Sequence, residues 1–242
     1  MKNILIILFL TSSINIFSQI NAFDKASNHY KKEKYDEAIS LYQKHLISGH
    51  ESSELYYNLG NCYFKKNNFT EAIWHYEKSL KLSKDQETIE NLNLAKDKLK
   101  TVVNTLPPSS LDKIFYKIIN FISFDKWRII TIIFPWLILF LYLIRSKIRK
   151  FYQAMQISLF AITLCLLTIT YFSYHEVFKK EAIIFTNTSA KSEPTTNNKN
   201  KSLFSLSKGS KIEILDKDGN WIKVKNEGNL KGWIKSENCR YL

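Results

Sequence analysis

The chain has 242 residues, 45% of them hydrophobic, enough for one large domain or two small ones with real cores. Its net charge of +13 is unevenly spread: 13 Lys against 12 acids in 23–100, five basic residues and no acid in 127–174, and 13 basic against eight acidic in 175–242. With no dense arginine stripe, that distribution argues against a DNA or RNA partner and points to membrane topology instead.

The opening MKNILIILFLTSSINIF places one lysine before an apolar run the length of a secretory h-region, followed by small residues. It is expected to be a signal peptide over 1–18, with Ala22 as the other cleavage site. Cleavage after Ser18 keeps the following helix whole. The next segment is then exported.

From residue 19 the chain repeats itself at an offset of 34. Tyr35, Glu37, Ala38, Ile39, Tyr42, Lys44 and Leu46 recur as Phe69, Glu71, Ala72, Ile73, Tyr76, Lys78 and Leu80, and Ala26 meets Gly60. Small residues at Gly60 and Ala72 let two helices approach, with Tyr63, Phe69 and Tyr76 filling the space around them. Each repeat is expected to be a helix-turn-helix unit.

This spacing and the string YNLGNCYFKKNNFTEAIWHYEKSLKL resemble the tetratricopeptide repeat. The domain is expected over 19–104, with repeats at 19–52 and 53–86 and a capping helix at 87–103. His29 stands where a bulky apolar residue is usual, and Lys84 where proline is common. Since about three repeats are needed to bury a continuous core, two should be steadied by a partner, a self-contact or the membrane. The resemblance implies that the first helix of each pair lines a concave, protein-binding groove. Its candidate residues are Ser27, Tyr30 and Lys31 from the first repeat and Glu54, Tyr57, Asn61, Phe64 and Lys65 from the second. Asn61 suits a peptide backbone, Lys31 and Lys65 a carboxylate, and the aromatics supply contact area.

After Pro107-Pro108, Leu111, Ile114, Phe115, Ile118, Ile119 and Ile122 share one helical face. The segment 108–126 is expected to be an amphipathic interfacial helix, with a buried solenoid helix as the alternative. Two apolar stretches follow, 127–144 and 155–174, each close to the length of a membrane span. The loop between them, 145–154, holds Arg145, Lys147, Arg149 and Lys150 and no acid, which places it in the cytoplasm. A two-helix transmembrane hairpin in the inner membrane is expected, with both flanking domains periplasmic.

The last segment, 181–242, has short alternating runs, KIEIL, WIKV and KGWIK, punctuated by Gly209, Asp218-Gly219 and Gly228. LSKGSKIEIL, Trp221 before a strand and Lys231-Gly232-Trp233 resemble the bacterial SH3-like domain, implying a small all-β barrel. Lys191-Ser192-Glu193-Pro194 replaces the Arg-Ser-Gly-Pro usual early in such domains. Trp221 and Trp233 form either an aromatic binding face or the core. The resemblance implies protein or cell-wall peptidoglycan ligands.

No catalytic residue, metal set or cofactor motif is expected. The five histidines have no HExxH or other paired metal spacing, and GxSxG, P-loop and GxGxxG strings are absent. His75, beside Trp74, is expected to face solvent or pack. The cysteines, Cys62, Cys165 and Cys239, read as structural small residues, with a Cys62 to Cys239 disulfide as the alternative in an oxidising compartment.

The fold class expected is thus a multi-domain membrane protein: an all-α solenoid, a transmembrane hairpin and an SH3-like barrel. This order resembles the Bat proteins of Bacteroidetes aerotolerance operons. That resemblance implies a non-enzymatic scaffold whose partners are the lipid bilayer, von Willebrand factor A domain membrane proteins and other Bat components. The alternatives are a peptidoglycan-binding protein with self-associating repeats and a transmembrane sensor, disfavoured by its short cytoplasmic loop.

Overall fold

A computed structural model of the chain describes residues 23–99, 110–119, 121–143, 152–195 and 201–242. The expected signal peptide with its cleavage sites, the Pro107-Pro108 dipeptide and the basic stretch 145–150 lie outside the described residues. The chain forms two compact units, one joining the repeats to Lys180–Leu242, the other spanning Thr105–Lys179.

In the first unit, helices α1 (23–31), α2 (Tyr35–Ile47), α3 (Ser53–Lys65), α4 (Phe69–Leu82) and α5 (Gln86–Leu99) follow in sequence. The two tight turns are superimposable in sequence: Glu33 and Asn67, 34 residues apart, both adopt φ of 59°. The left-handed conformation suits Asn and strains Glu. One residue later, the Asn68 side chain caps α4 by accepting from the Glu71 N–H, whereas Lys34 gives α2 no side-chain cap. Ser52 caps α3 through the Leu55 N–H at 3.1 Å.

The interhelical packing rests on small residues. A Cβ added to Gly60 would lie 2.5 Å from Cδ1 and Cε1 of Tyr76, so the α3–α4 approach requires glycine there. Ala26, Ala38, Tyr42, Leu55, Leu59 and Cys62 form one core. Burial pushes the Cys62 thiol up to about 12, which makes it an inert packing group. All three cysteines are free.

The C-terminal segment is a seven-stranded antiparallel sheet: β1 (Glu181–Ile184), β2 (Thr188–Lys191), β3 (Ser202–Leu206), β4 (Lys211–Asp218), β5 (Trp221–Asn226), β6 (Lys231–Lys235) and β7 (Cys239–Tyr241), in the order β3-β2-β6-β5-β4-β1-β7. Side chains from both ends of this order, among them Ala182, Ile184 and Leu206, share one core with Ile212, Ile222, Val224 and Ile234, so the sheet curls around it. A 3-10 turn, Ser236–Asn238, leads into β7.

The repeats and the sheet are packed together. Ile183, fully buried, joins Ala72, Ile73, Tyr76, Leu92 and Ala95 of α4 and α5, and Phe185 and Leu242 pack against this cluster. Of the three supports expected for a two-repeat array, a partner, a self-contact or the membrane, a self-contact is present, made by the C-terminal segment.

In the second unit, α6 (Ser110–Ile119) is followed by α7 (Phe124–Leu143) and α8 (Tyr152–Val177). Ile119 is buried, and its carbonyl accepts the Trp127 indole N–H at 3.1 Å. Phe115 stacks edge-on against Phe172 at 5.1 Å, while Ile114 and Ile118 remain exposed, so α6 is no buried solenoid helix. Helices α7 and α8 touch through the Thr131 and Thr170 hydroxyls at 2.7 Å. Among the described residues one stretch, Met155–Val177, is long and apolar enough to cross a membrane. The other expected span, 127–144, runs past Leu143, where the described residues of α7 end.

Candidate binding surfaces

The first helices α1 and α3 carry the residues expected to line the groove. Lys31, Glu54 and Lys65 are exposed; Ser27, Tyr30, Tyr57, Asn61 and Phe64 are half-buried. Tyr30 lies edge-on to Tyr35 at 5.6 Å, and Phe64 to Phe69 at 5.4 Å.

Two of the candidates are already tied into the protein. The Tyr57 hydroxyl donates to Glu87 Oε1 at 2.5 Å, and Asn91 Nδ2 donates to both the Tyr57 hydroxyl and Asn61 Oδ1, at 3.1 and 3.2 Å. Tyr76 donates to the same Asn61 oxygen at 2.7 Å. The Asn61 carbonyl is thus occupied, and the Asn61 side chain also bonds the Tyr57 hydroxyl. Burial, aided by the nearby Glu87, holds the Tyr57 hydroxyl above the usual tyrosine range. Sequence reasoning missed Glu87 and Asn91, although the repeat offset of 34 carries Tyr57 onto Asn91.

On the sheet, register places Trp233 opposite Lys223 and Trp221 opposite Lys235. Ile222, Val224 and Ile234 point into the core, so the alternating Trp221 and Trp233 face outward, half-buried and outside the core cluster. Lys191 Nζ lies 5.6 Å from the Trp221 ring and Lys223 Nζ 5.8 Å from that of Trp233. Glu213 pairs with Lys225 at 2.5 Å, so part of this face's positive charge is neutralised in place.

A third surface is the one the repeats and sheet already share, and nothing in the sequence announced it. Arg240 grips Glu71 with both guanidinium nitrogens, at 2.7 and 2.9 Å, and lies over Phe185 at 4.1 Å and Trp74 at 5.2 Å. The Trp74 indole N–H donates to the Tyr241 carbonyl at 2.9 Å. Beneath them His75 is buried, stacked on Tyr63 at 5.1 Å. Burial, with Arg240 and Lys78 nearby, lowers its pKa to about 3 and keeps the ring neutral.

Comparison with known proteins agrees with this division. Residues 53–86 match the tetratricopeptide repeat family, and residues 190–238 match the bacterial SH3 domain family. No curated protein matches the chain. The tetratricopeptide match covers α3 and α4, while the SH3 match begins inside β2 and stops before β7. Strands β1 and β7, which carry Ile183 and Arg240 to the repeats, lie outside the matched segment.

Proposed function

We propose that this protein is a non-enzymatic, membrane-anchored adaptor that presents a tetratricopeptide groove and an SH3-like face as one rigid body. The observation that carries the reading is the docking of β1 and β7 onto α4 and α5. It leaves the concave side of the repeats and the Trp221/Trp233 face uncovered by each other, so two ligands can be held at fixed separation on a single anchor.

The same docking supports a two-span anchor. Segments before and after Thr105–Lys179 meet in one body, so they lie on one side of any membrane, and the chain between them crosses an even number of times. Crossing by α8 alone would separate them. A span that includes α7, closed by the basic stretch 145–150 on the cytoplasmic side, satisfies both this parity and the positive-inside rule. The domains are then periplasmic at the inner membrane.

The order of segments resembles BatE of the aerotolerance operons, from which follow partners of the von Willebrand factor A domain type and a role in envelope stress. The test is in-cell crosslinking followed by mild-detergent recovery of tagged protein, comparing wild type with Lys65→Glu and Lys31→Glu. Loss of membrane partners at unchanged abundance supports the groove as their receptor; unaltered recovery removes it.

A second reading, peptidoglycan binding, is favoured by the outward setting of Trp221 and Trp233. Cosedimentation of the detergent-solubilised protein with purified peptidoglycan, abolished by Trp233→Ala, supports it, and no cosedimentation excludes it.

A further inference from the structure

In an array of helical hairpins, each second helix packs against its own first helix and against the second helix before it. Here α5 is a first helix, and among the described residues of this unit no second helix follows it. The trough that such a helix would fill, between α4 and α5, is instead occupied by Ile183, Phe185 and Leu242 of the SH3-like domain, against Leu80, Leu92 and Leu99.

At the centre of this trough is Glu77 on α4, its side chain only 7% exposed. Its Oε1 accepts from Lys96 of α5 at 3.2 Å and its Oε2 from Lys211 of β4 at 2.9 Å. Lys211 also pairs with Glu181 of β1 at 3.1 Å, and Glu181 with Lys81 of α4 at 3.5 Å. Burial pushes the Glu77 carboxyl up, yet the two lysines outweigh it and hold it below the usual carboxylate range. One buried charge therefore joins repeat, capping helix and sheet, and its removal leaves the lysines without their shared partner.

The opposite side of α5 carries Glu87 and Asn91, which bond Tyr57 and Asn61 in the groove. Helix α5 is thus tied to α4 by the Lys96–Glu77 pair, shares the Ile183 cluster with the SH3-like domain, and contributes to the groove in front. We propose that the SH3-like domain stands in for the second helix of a third repeat, and that Glu77 is the positioning residue through which its docking sets α5 as the third wall of the groove. Its consequence for ligand binding rests on the groove reading above; the structural coupling does not.

The experiment is hydrogen exchange on the full-length protein in detergent, with no partner added, following amides of 86–99 and of β4 and β5. In wild type α5 is protected. Arg240→Glu, which sets an acid against Glu71, is expected to raise α5 exchange by about tenfold or more while β4 and β5 stay protected, and Glu77→Gln is expected to do the same. The exchanged pair Glu71→Arg with Arg240→Glu is expected to restore protection. Should α5 exchange be unmoved by Arg240→Glu and Glu77→Gln, the proposal is overturned. Where Arg240→Glu loosens the sheet as well, recovery in the exchanged pair supports the coupling and its absence overturns it. Partner capture through Lys65 is measured separately, so failure of the groove reading leaves this result standing.

Discussion

The Trp74 indole N–H donates to the carbonyl of Tyr241, joining residues 167 positions apart in a single 2.9 Å hydrogen bond. Phenylalanine at position 74 keeps most of the packing and loses that bond, so Trp74→Phe is expected to lower stability by about 1 kcal/mol. Trp74→Ala also removes the ring beneath Arg240 and is expected to cost about 3 to 5 kcal/mol. Denaturant unfolding followed by tryptophan-independent circular dichroism measures both.

Gly60 faces the Tyr76 ring with no room for a methyl group. Gly60→Ala gains helix propensity of roughly 1 kcal/mol but must displace a fully buried ring, at a cost of about 1 to 3 kcal/mol. Net destabilisation is expected, read as a lower Tm of the repeats. Adding Tyr76→Leu, which frees part of that space, should make the glycine replacement less costly than it is alone.

The first turn can be improved from the second. Glu33-Lys34 occupies the positions where the second repeat has Asn67-Asn68, with the same positive φ at the first residue and a working cap at the second. Glu33→Asn relieves a left-handed strain and Lys34→Asn supplies the missing cap to α2, each expected to add about 0.5 to 1 kcal/mol. A rise in Tm of the double variant checks this.

His75 makes stability depend on acid. Its folded pKa of about 3 lies below the unfolded value of 6.5, so between these limits the unfolded chain takes up a proton that the native ring refuses. Stability then falls as pH falls, by at most about 1.4 kcal/mol per unit, while above pH 6.5 the residue contributes no slope. His75→Phe is expected to shrink the stability difference between pH 7.5 and 5.0 by about 2 kcal/mol relative to wild type.

The repeat was legible because its packing is local: the offset of 34 fixes which residues of α3 and α4 face one another, and Gly60 and Tyr76 meet as the spacing required. Trp221 and Trp233 were not assignable, since WIKV alternates equally well in either phase until the register turns Ile222 and Val224 inward. The docking surface escaped altogether. Glu71, Trp74, Glu77 and Lys81 read as an ordinary solvated face of α4, and the groups that neutralise and cover them, Arg240, Lys211 and Glu181, lie beyond the membrane segment. Charge pairing at such a separation leaves no period to detect. The offset of 34 carries Tyr57 onto Asn91, whereas Glu87 meets Tyr57 only through the packing of α5 on α3.

The central claim is that repeats and SH3-like domain form one body on one side of the membrane. The most direct test is labelling with a membrane-impermeant maleimide in intact cells and permeabilised cells, using Lys31→Cys, Lys223→Cys and Lys147→Cys in a protein whose native cysteines are replaced. Labelling of positions 31 and 223 from outside the inner membrane, with 147 reached only after permeabilisation of that membrane, is the expected result. Labelling of 31 and 223 from opposite sides would contradict it, since the Glu71–Arg240 contact could not then form.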